Sequence, residues 1–274
     1  MAGHLVGAGA EVSVWNRTAA KAEPLRAHGA RVAESLEALA AECEIVILCV
    51  SRSEDVRQCL EAMAPSAKPG TLFIDHSTIS PTVAAELAGW LAERGHRFVD
   101  APVTGGSVGA QKGQLTIFLG GAEADVEEAK AAVKPYTKRA ERVGGPGSGQ
   151  MAKMANQIAV GGALLAMCES LSFAKKAGLD VAQIRELVAG GAGGSWAFDN
   201  YGPKMLVEDW TPGFSIINQR KDFGYCAEAA QAVDAAIPGT LLVDRLLARL
   251  EEKGHGEWTT AALYAEMLDM GSEP

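Results

Sequence analysis

This 274-residue sequence changes its hydrophobic pattern at the glycine-rich segment 143–149, and that change constrains the fold more than any other feature. Before the segment, short β-branched runs alternate with stretches of helical period, which predicts βαβ units around a mostly parallel sheet. After it, the strand-like runs disappear and only the helical period remains. We therefore predict an α/β doubly wound domain over residues 1–145, followed by an all-α domain over residues 146–274.

The periodicity also predicts the individual elements. In the first domain the predicted strands cover residues 11–15, 45–50, 71–74, 97–99 and 115–119. The predicted helices between them cover residues 19–27, 36–41, 55–63, 81–93 and 123–133, and Thr18 and Ser80 are suited to act as N-caps. In the second domain one long helix is predicted over residues 150–177, because apolar residues recur at helical spacing without proline. Further helices are predicted over residues 181–189, 196–207, 219–235, 240–252 and 259–268.

The beginning of the chain departs from the usual dinucleotide-binding pattern of strand, G-x-G-x-x-G and helix. Residues 1–5 read as the later half of that helix, and Gly7-Ala8-Gly9 precedes a strand, so it is a helix end rather than the fingerprint. We expect a sheet without its first strand and glycine loop, with roughly 15–20 residues upstream of Met1. A late start codon, a shortened chain and a real loss stay open, and each would weaken cofactor binding by residues 1–274.

Composition excludes several classes of function. The formal net charge of -9 opposes a nucleic-acid partner, which requires clustered Lys and Arg. The five cysteines form no C-x-x-C pair, which favours reduced thiols and a cytoplasmic location. We expect no membrane partner, because we find neither a signal peptide nor a long uncharged apolar stretch. The five histidines show no metal-ligand spacing, so no metal site is predicted.

Cofactor contacts are predicted where strands end, because ligands of doubly wound sheets lie beyond the carboxyl ends of the strands. Asn16, Arg17 and Thr18 follow the first strand, at the place where an acidic residue would bind the ribose of NAD. An arginine there suits the additional phosphate of NADP, so NADP(H) is favoured over NAD(H). A solvated arginine at a helix start is the alternative. Val50 and Ser51, at the end of the second strand, are further candidates.

Three later segments carry the other polar candidates. Thr78 follows the strand 71–74, although that segment also reads as an N-cap cluster. Thr104, Gly105 and Gly106 form a turn whose backbone N–H groups could hold a carboxylate, or which simply needs positive φ angles. Lys153 follows the glycine-rich break, one helical turn before Asn156 and between Met151 and Met154. Partial desolvation there would lower the pKa of a lysine toward the range useful in acid–base catalysis.

Taken in order, four segments resemble the β-hydroxyacid dehydrogenase family, which includes 3-hydroxyisobutyrate dehydrogenases and the semialdehyde reductases of tartronate, glyoxylate and succinate. They are DHSTISP (75–81), FVDAPVTGGSVGAQKGQL (98–115), GSGQMAKMANQ (147–157), and GPKMLVEDWTPGF (202–214) followed by RKDFGYC (220–226). The resemblance covers essentially the whole chain. It implies a Rossmann-type domain, a helical domain like that of 6-phosphogluconate dehydrogenase, an active site between them, and a homodimer or dimer of dimers.

The resemblance also implies roles for single residues. Lys153 matches the general acid/base of the family, and Asn156 matches the asparagine that orients the substrate. Thr104, Gly105 and Gly106 match the substrate carboxylate site, where Ser-Gly-Gly is more usual. Thr78 and Lys221 match cofactor contacts, while Phe214 and Asp222 match residues near the substrate or supporting the lysine.

The expected reaction is hydride transfer between a nicotinamide and a small carboxylate-bearing hydroxyacid or its semialdehyde. Two alternatives stay open. A non-catalytic protein could keep the fold for ligand sensing or association, as a lost glycine loop would permit. An imine or ketone reductase is the other, although such enzymes usually carry Asp or Tyr in place of Lys153.

Overall fold

The computed structural model describes residues 1–270, which form two compact units, Met1–Lys153 and a second that begins at Met154. Every strand of the described residues lies in the first unit, and the second is helical. The predicted fold class, a doubly wound α/β domain followed by helices, is confirmed.

The first unit alternates strands and helices along the chain. Its strands are β1 (Ser13–Val14), β2 (Arg31–Val32), β3 (Ile45–Leu48), β4 (Leu72–Asp75), β5 (Arg97–Asp100), β6 (Val103–Thr104), β7 (Leu115–Gly120) and β8 (Thr137–Gly144). Its helices are α1 (Ala2–Gly7), α2 (Glu23–Arg26), α3 (Leu36–Glu42), α4 (Ser53–Met63), α5 (Pro81–Ala92), α6 (Gly106–Lys112) and α7 (Glu123–Val133). Short 3₁₀ turns lie at Ala19–Lys21 and Lys134–Tyr136.

The strands form two separate sheets. β3, β4 and β5 pair in parallel, β7 runs antiparallel to β5 and β6, and β8 pairs in parallel with β7. β1 and β2 pair only with each other. In the usual strand order 3-2-1-4-5-6 of a doubly wound sheet, β1 would correspond to strand 2 and β2 to strand 3. Within residues 1–270 no strand pairs with both β1 and β3.

Apolar side chains cover both faces of the larger sheet. All four residues of β4 are buried, and its three apolar residues alternate between two hydrophobic clusters. Phe73 packs with Leu60 and Leu87 of α4 and α5, whereas Leu72 and Ile74 pack with Val126 of α7. Strands buried on both faces are expected to be continuously apolar, which explains why these runs were visible in the sequence.

The structure corrects the first helix that was predicted after β1. Residues 19–27 form a 3₁₀ turn and then the four-residue α2, rather than one helix. Pro24 lacks an N–H and therefore fits only within the first turn of a new helix. Thr18 does not cap a helix through its side chain. Its backbone N–H instead donates to Asn16 Oδ1 (2.9 Å), which closes a local turn.

Several short or polar elements were not predicted. β8 was missed because its exposed edge carries mostly charged and small residues and shows no apolar alternation. β2, β6 and α6 were missed because two-residue strands and a glycine-rich helix leave almost no periodic signal.

The second unit contains the rest of a long helix and six shorter ones in the described residues. They are α8 (Ser148–Lys176), α9 (Val181–Ala189), α10 (Trp196–Asn200), α11 (Gly202–Leu206), α12 (Ile216–Ala232), α13 (Pro238–Glu252) and α14 (Leu263–Met270). The single helix predicted over residues 196–207 is two helices, because Pro203 removes a backbone donor. The last predicted helix begins as a 3₁₀ turn at Thr260–Ala262 and continues as α14.

Helix α8 has the length and hydropathy of a membrane span, and 44% of its most apolar window is buried within the protein. Its side chains Leu164, Met167, Cys168 and Leu171 lie in the core of the helical unit. A core position therefore accounts for its apolar composition.

Candidate functional site

The segment after β4 is a buried polar turn that leaves one side chain partly accessible. Asp75 Oδ1 accepts a hydrogen bond from the Ser77 N–H (2.9 Å), and the Ser77 hydroxyl accepts one from the Val50 N–H (2.9 Å). Within residues 71–80, Thr78 alone is not buried. Ser80 caps α5 by accepting from the Val83 N–H, as predicted. The segment therefore contains both an N-cap, Ser80, and an accessible threonine, Thr78.

His76 is part of the same turn but is not suited to proton transfer at neutral pH. Burial lowers the pKa of His76 to about 4, so its ring is neutral. Its Nδ1 donates to the Ala101 carbonyl (2.6 Å), and its Nε2 accepts from the Tyr136 hydroxyl (2.8 Å). His76 therefore holds the chain after β5 in place.

The turn predicted to bind a carboxylate has the positive φ angles that its glycines suggest. Gly105 has φ 122° and Gly106 has φ 63°, both in the region that favours glycine. Thr104 ends β6 opposite Thr116 of β7, and its side chain is partly exposed. α6 begins at Gly106, so the first N–H groups of that helix have no partner within it. The turn can therefore offer backbone donors and a threonine hydroxyl to an anion.

The start of α8 is attached to the end of β5 by a buried carboxylate. Asp100 is fully buried, and it accepts hydrogen bonds from the Gly147 N–H (2.8 Å) and the Gln150 N–H (2.9 Å). Burial raises the pKa of Asp100 to about 6, against the opposing effect of these amide donors. A side chain at Gly149 would lie 2.6 Å from the Asp100 carbonyl oxygen, so the backbones approach as closely as glycine allows.

Lys153 lies one turn further along α8, and its side chain extends toward the turn that was predicted to bind a carboxylate. The residue is 7% exposed, and its Nζ donates to the Val103 carbonyl at 2.9 Å. Met151 is 37% exposed, whereas Met154 is buried. The two methionines therefore do not flank the ammonium group equally, which differs from the expectation from sequence. The Lys153 ammonium group therefore lies beside Val103, the residue before Thr104.

The loop after β1 holds the predicted adenosine contacts, and it is open. The Arg17 side chain is 86% exposed and lies 3.8 Å from Asp55. Val50 and Ser51 follow β3, and the Val50 N–H is already used by Ser77. An exposed guanidinium beside a strand end fits the ribose phosphate of a dinucleotide. Residues 1–270 hold no G-x-G-x-x-G between a strand and a helix, so they fit the adenosine side of the cofactor better than its pyrophosphate.

The helical unit contains a buried polar chain that includes three predicted residues. Lys221 Nζ lies 3.0 Å from Asp222 Oδ1, and both side chains are at least nine-tenths buried. They therefore form a buried ion pair rather than an ordinary exposed one. Gln157 Nε2 donates to Asp222 Oδ2 (2.7 Å), and Asn156 Nδ2 donates to Gln157 Oε1 (2.9 Å). Gln157 was not predicted as a member of the site, although its position next to Asn156 on α8 pointed to it.

The remaining predicted residue of the helical unit is Phe214. It is half-buried, and its carbonyl oxygen accepts from the Thr260 N–H at 3.2 Å. The structure therefore gives it a backbone contact within the helical unit, and its predicted contact with substrate stays a prediction.

Comparisons with known proteins agree with both units. Residues 1–145 match the family described as the NAD binding domain of 6-phosphogluconate dehydrogenase. Residues 147–267 match the family described as the NAD-binding domain of NADP-dependent 3-hydroxyisobutyrate dehydrogenase.

Individual relatives match over nearly the whole chain. An uncharacterized oxidoreductase of Shewanella frigidimarina is 35% identical over 271 residues, covering 97% of this chain and 93% of the relative. A probable 3-hydroxyisobutyrate dehydrogenase-like protein of Arabidopsis thaliana is 37% identical, covering 96% of this chain and 80% of its own. The solved 3-hydroxyisobutyrate dehydrogenase of Mycobacterium tuberculosis, with L-serine, has a TM-score of 0.87 at 30% identity and covers 96% and 93% of the two chains. With its strand-end turns and helical second unit, this chain therefore belongs to the β-hydroxyacid dehydrogenase family of enzymes that bind a nicotinamide dinucleotide.

Proposed function

We propose that this protein is an NADP(H)-dependent oxidoreductase that interconverts a small β-hydroxyacid or other hydroxyacid with its semialdehyde or oxoacid. In this proposal Lys153 is the general acid and base. One observation carries the assignment: the buried Lys153 ammonium donates to the Val103 carbonyl at 2.9 Å, directly beside the turn of Thr104, Gly105 and Gly106.

The turn and the lysine have complementary roles. The turn presents backbone N–H groups and a threonine hydroxyl, which suit the substrate carboxylate. Lys153 supplies a positive charge and an exchangeable proton next to it, so that it protonates the substrate oxygen in reduction and removes that proton in oxidation. His76 is neutral and fully engaged, which leaves Lys153 as the better placed proton donor among these residues.

The cofactor supplies the hydride when it is bound. Arg17, Thr18 and Asn16 would hold its adenosine phosphate, and Thr78 would face its other end. The exposed Arg17 guanidinium supports NADP(H) over NAD(H), because it can pair with a ribose phosphate. Lys221, Asp222, Asn156 and Phe214 would complete the cofactor and substrate contacts.

The protein is further proposed to be a cytoplasmic homodimer or dimer of dimers, without nucleic-acid or membrane partners. Three large apolar side chains of the helical unit would lose contact with water in an interface between copies: Phe173 is 73% exposed, Leu187 67% and Val207 74%. The net charge of -9 supports the absence of a nucleic-acid partner.

A substrate and cofactor panel tests the proposed function. Purified protein is assayed with NADPH and with NADH against glyoxylate, succinic semialdehyde, tartronate semialdehyde and a cyclic imine, and in the oxidative direction with 3-hydroxyisobutyrate and NADP⁺. We expect turnover of a carboxylate-bearing carbonyl compound with NADPH, and none of the imine. Turnover of the imine alone would favour the reductase alternative. A folded protein without NADPH binding or turnover would favour the non-catalytic one.

A further inference from the structure

One buried side chain at the start of α8 bonds to both residues that flank Thr78. Gln150 is fully buried. Its Nε2 donates to the Ser77 carbonyl at 2.8 Å, and its Oε1 accepts from the Ile79 N–H at 3.2 Å. The side-chain amide therefore pairs with the backbone on either side of Thr78 as a neighbouring strand would.

The chemistry of the partners fixes the orientation of this amide. A backbone carbonyl only accepts and a backbone N–H only donates, so the Gln150 amide satisfies both bonds in one orientation alone. In the flipped orientation the amide NH₂ would face the Ile79 N–H and the amide oxygen would face the Ser77 carbonyl oxygen, so neither hydrogen bond would form. Each such loss costs the desolvation of a buried group. No isosteric apolar side chain could replace these two bonds.

The residue between the two bonds is the one that the turn leaves accessible. Thr78 is partly exposed while its neighbours from Thr71 to Ser80 are buried. The two bonds therefore fix the backbone on both sides of the only side chain in this stretch that a ligand can reach.

Gln150 also belongs to the helix that carries Lys153. The two residues are three apart on α8, so they lie on the same side of the helix. The backbone N–H of Gln150 is itself bonded to the Asp100 carboxylate (2.9 Å). One residue thus links β5, the Thr78 turn and the Lys153 helix.

From this linkage we infer that Gln150 is a positioning residue, which holds Thr78 in register with Lys153. The inference rests on the proposed function, in which Thr78 contacts the cofactor and Lys153 handles the proton. The side-chain bonds of Gln150 are both made to the backbone of this turn, so we assign it no ligand contact of its own. Its removal should change the alignment of the bound cofactor with the lysine more than it changes the fold.

The first test is Gln150→Met, which keeps the length of the side chain and removes both bonds. We expect kcat to fall about 10- to 100-fold, because small misplacements of reacting groups have effects of this size. The KM for the hydroxyacid or semialdehyde should change about 3-fold or less, since the Thr104–Gly106 turn is not bonded to Gln150. An equal change in KM with an unchanged kcat would contradict a positioning role.

The second test is Gln150→Glu, in which the same bonds depend on pH. A protonated glutamate can donate to the Ser77 carbonyl and accept from the Ile79 N–H, whereas the ionised form places a negative oxygen against that carbonyl. We expect kcat near the wild-type value at about pH 5.5 and at least about 10-fold lower at pH 8. Asp75, His76 and Asp100 also surround this turn, so each rate is compared with wild type at the same pH. A constant ratio across this range would contradict the inference.

A readout that does not need activity separates this inference from the proposed function. The Ile79 amide should exchange with solvent at least about 10-fold faster in Gln150→Met than in wild type, as followed by NMR. Gln183→Met and Gln183→Glu, on an exposed position of α9, are matched controls and should change neither readout. If Ile79 loses protection but wild type turns over no substrate, the proposed function fails and the linkage stands. If Ile79 exchange is unchanged, the linkage itself is wrong.

Discussion

The start of α8 and the loop after β1 both carry predicted site residues, but the chain supports them to different degrees. At the start of α8, the Asp100 carboxylate, the Gln150 amide and the close approach at Gly149 fix the backbone within a buried region. The loop after β1 follows a two-residue strand, and the Arg17 side chain is 86% exposed. The region proposed to handle the proton is thus held by several buried contacts within the protein, whereas the loop proposed to contact adenosine has few contacts of its own.

This difference has a functional meaning. Groups that act in a chemical step must be held within a fraction of an ångström, which calls for buried and fully bonded supports. A phosphate contact at the rim of a site can be made by a mobile arginine, because charge attraction tolerates small shifts in position. Disruption of the close packing at the start of α8 should therefore affect folding and catalysis together, whereas substitutions after β1 should affect cofactor choice alone.

The largest effect on stability is expected from Gly149→Ala. The new Cβ would lie 2.6 Å from the Asp100 carbonyl oxygen and 2.7 Å from the Phe118 carbonyl oxygen, so the helix start has to move. We expect the free energy of unfolding to fall by about 3 kcal/mol, measured by urea denaturation, together with loss of turnover.

Gly162→Ala is the matched control on the same helix. No atom lies within 4 Å of the Cβ it would add, so it should stabilise the protein by about 0.5 to 1 kcal/mol. Equal stability of the two alanine variants would show that the start of α8 is not closely packed.

The next effect concerns the ionisation of Asp100. Its pKa is about 6 in the folded protein and about 3.9 in an unfolded chain, so the folded state binds this proton more tightly. The contribution of Asp100 to the free energy of unfolding therefore falls by about 2 kcal/mol as the pH rises from 4 to 7. Asp100→Asn cannot ionise, so its stability relative to wild type should rise over the same range.

Urea denaturation of both proteins at pH 4, 5, 6 and 7 measures that difference. A change of the opposite sign, with wild type gaining on the variant as pH rises, would mean that the amide donors of Gly147 and Gln150 outweigh burial.

A smaller effect is expected after β1, and it should be confined to the cofactor. Arg17→Ser removes the exposed guanidinium, and we expect NADPH to bind about 10-fold more weakly, while NADH binding and the free energy of unfolding hardly change. Fluorescence titration with both cofactors measures this. Arg26→Ser, on the exposed face of α2, is the control. Equal weakening for NADPH and NADH would remove the basis for NADP(H) preference.

The elements around the proposed site show what sequence can and cannot reveal. β4 and α8 were predicted because continuous apolar runs and helical spacing directly reflect burial. Glycines at 105 and 106 were correctly associated with positive φ. These signals are local, so they are present in the sequence whatever the rest of the chain does.

The supports of the site were not predicted, because they join distant parts of the chain. Asp100 bonds to Gly147 and Gln150 across about fifty residues, and Gln150 bonds to Ser77 and Ile79 across more than seventy. A single glutamine on a helix carries no periodic signal for such a bond. Likewise β8 is an exposed edge strand, whose pairing with β7 requires no apolar pattern.

The central claim is that Lys153 handles the substrate proton, and single-turnover reduction by Lys153→Met tests it most directly. The variant and wild type are loaded with NADPH, mixed with the best carbonyl substrate of the panel, and followed by the loss of NADPH absorbance. We expect hydride transfer to slow about 1,000-fold in the variant while NADPH affinity stays within about 3-fold of wild type. A transfer rate within about 3-fold of wild type would contradict the assignment of Lys153.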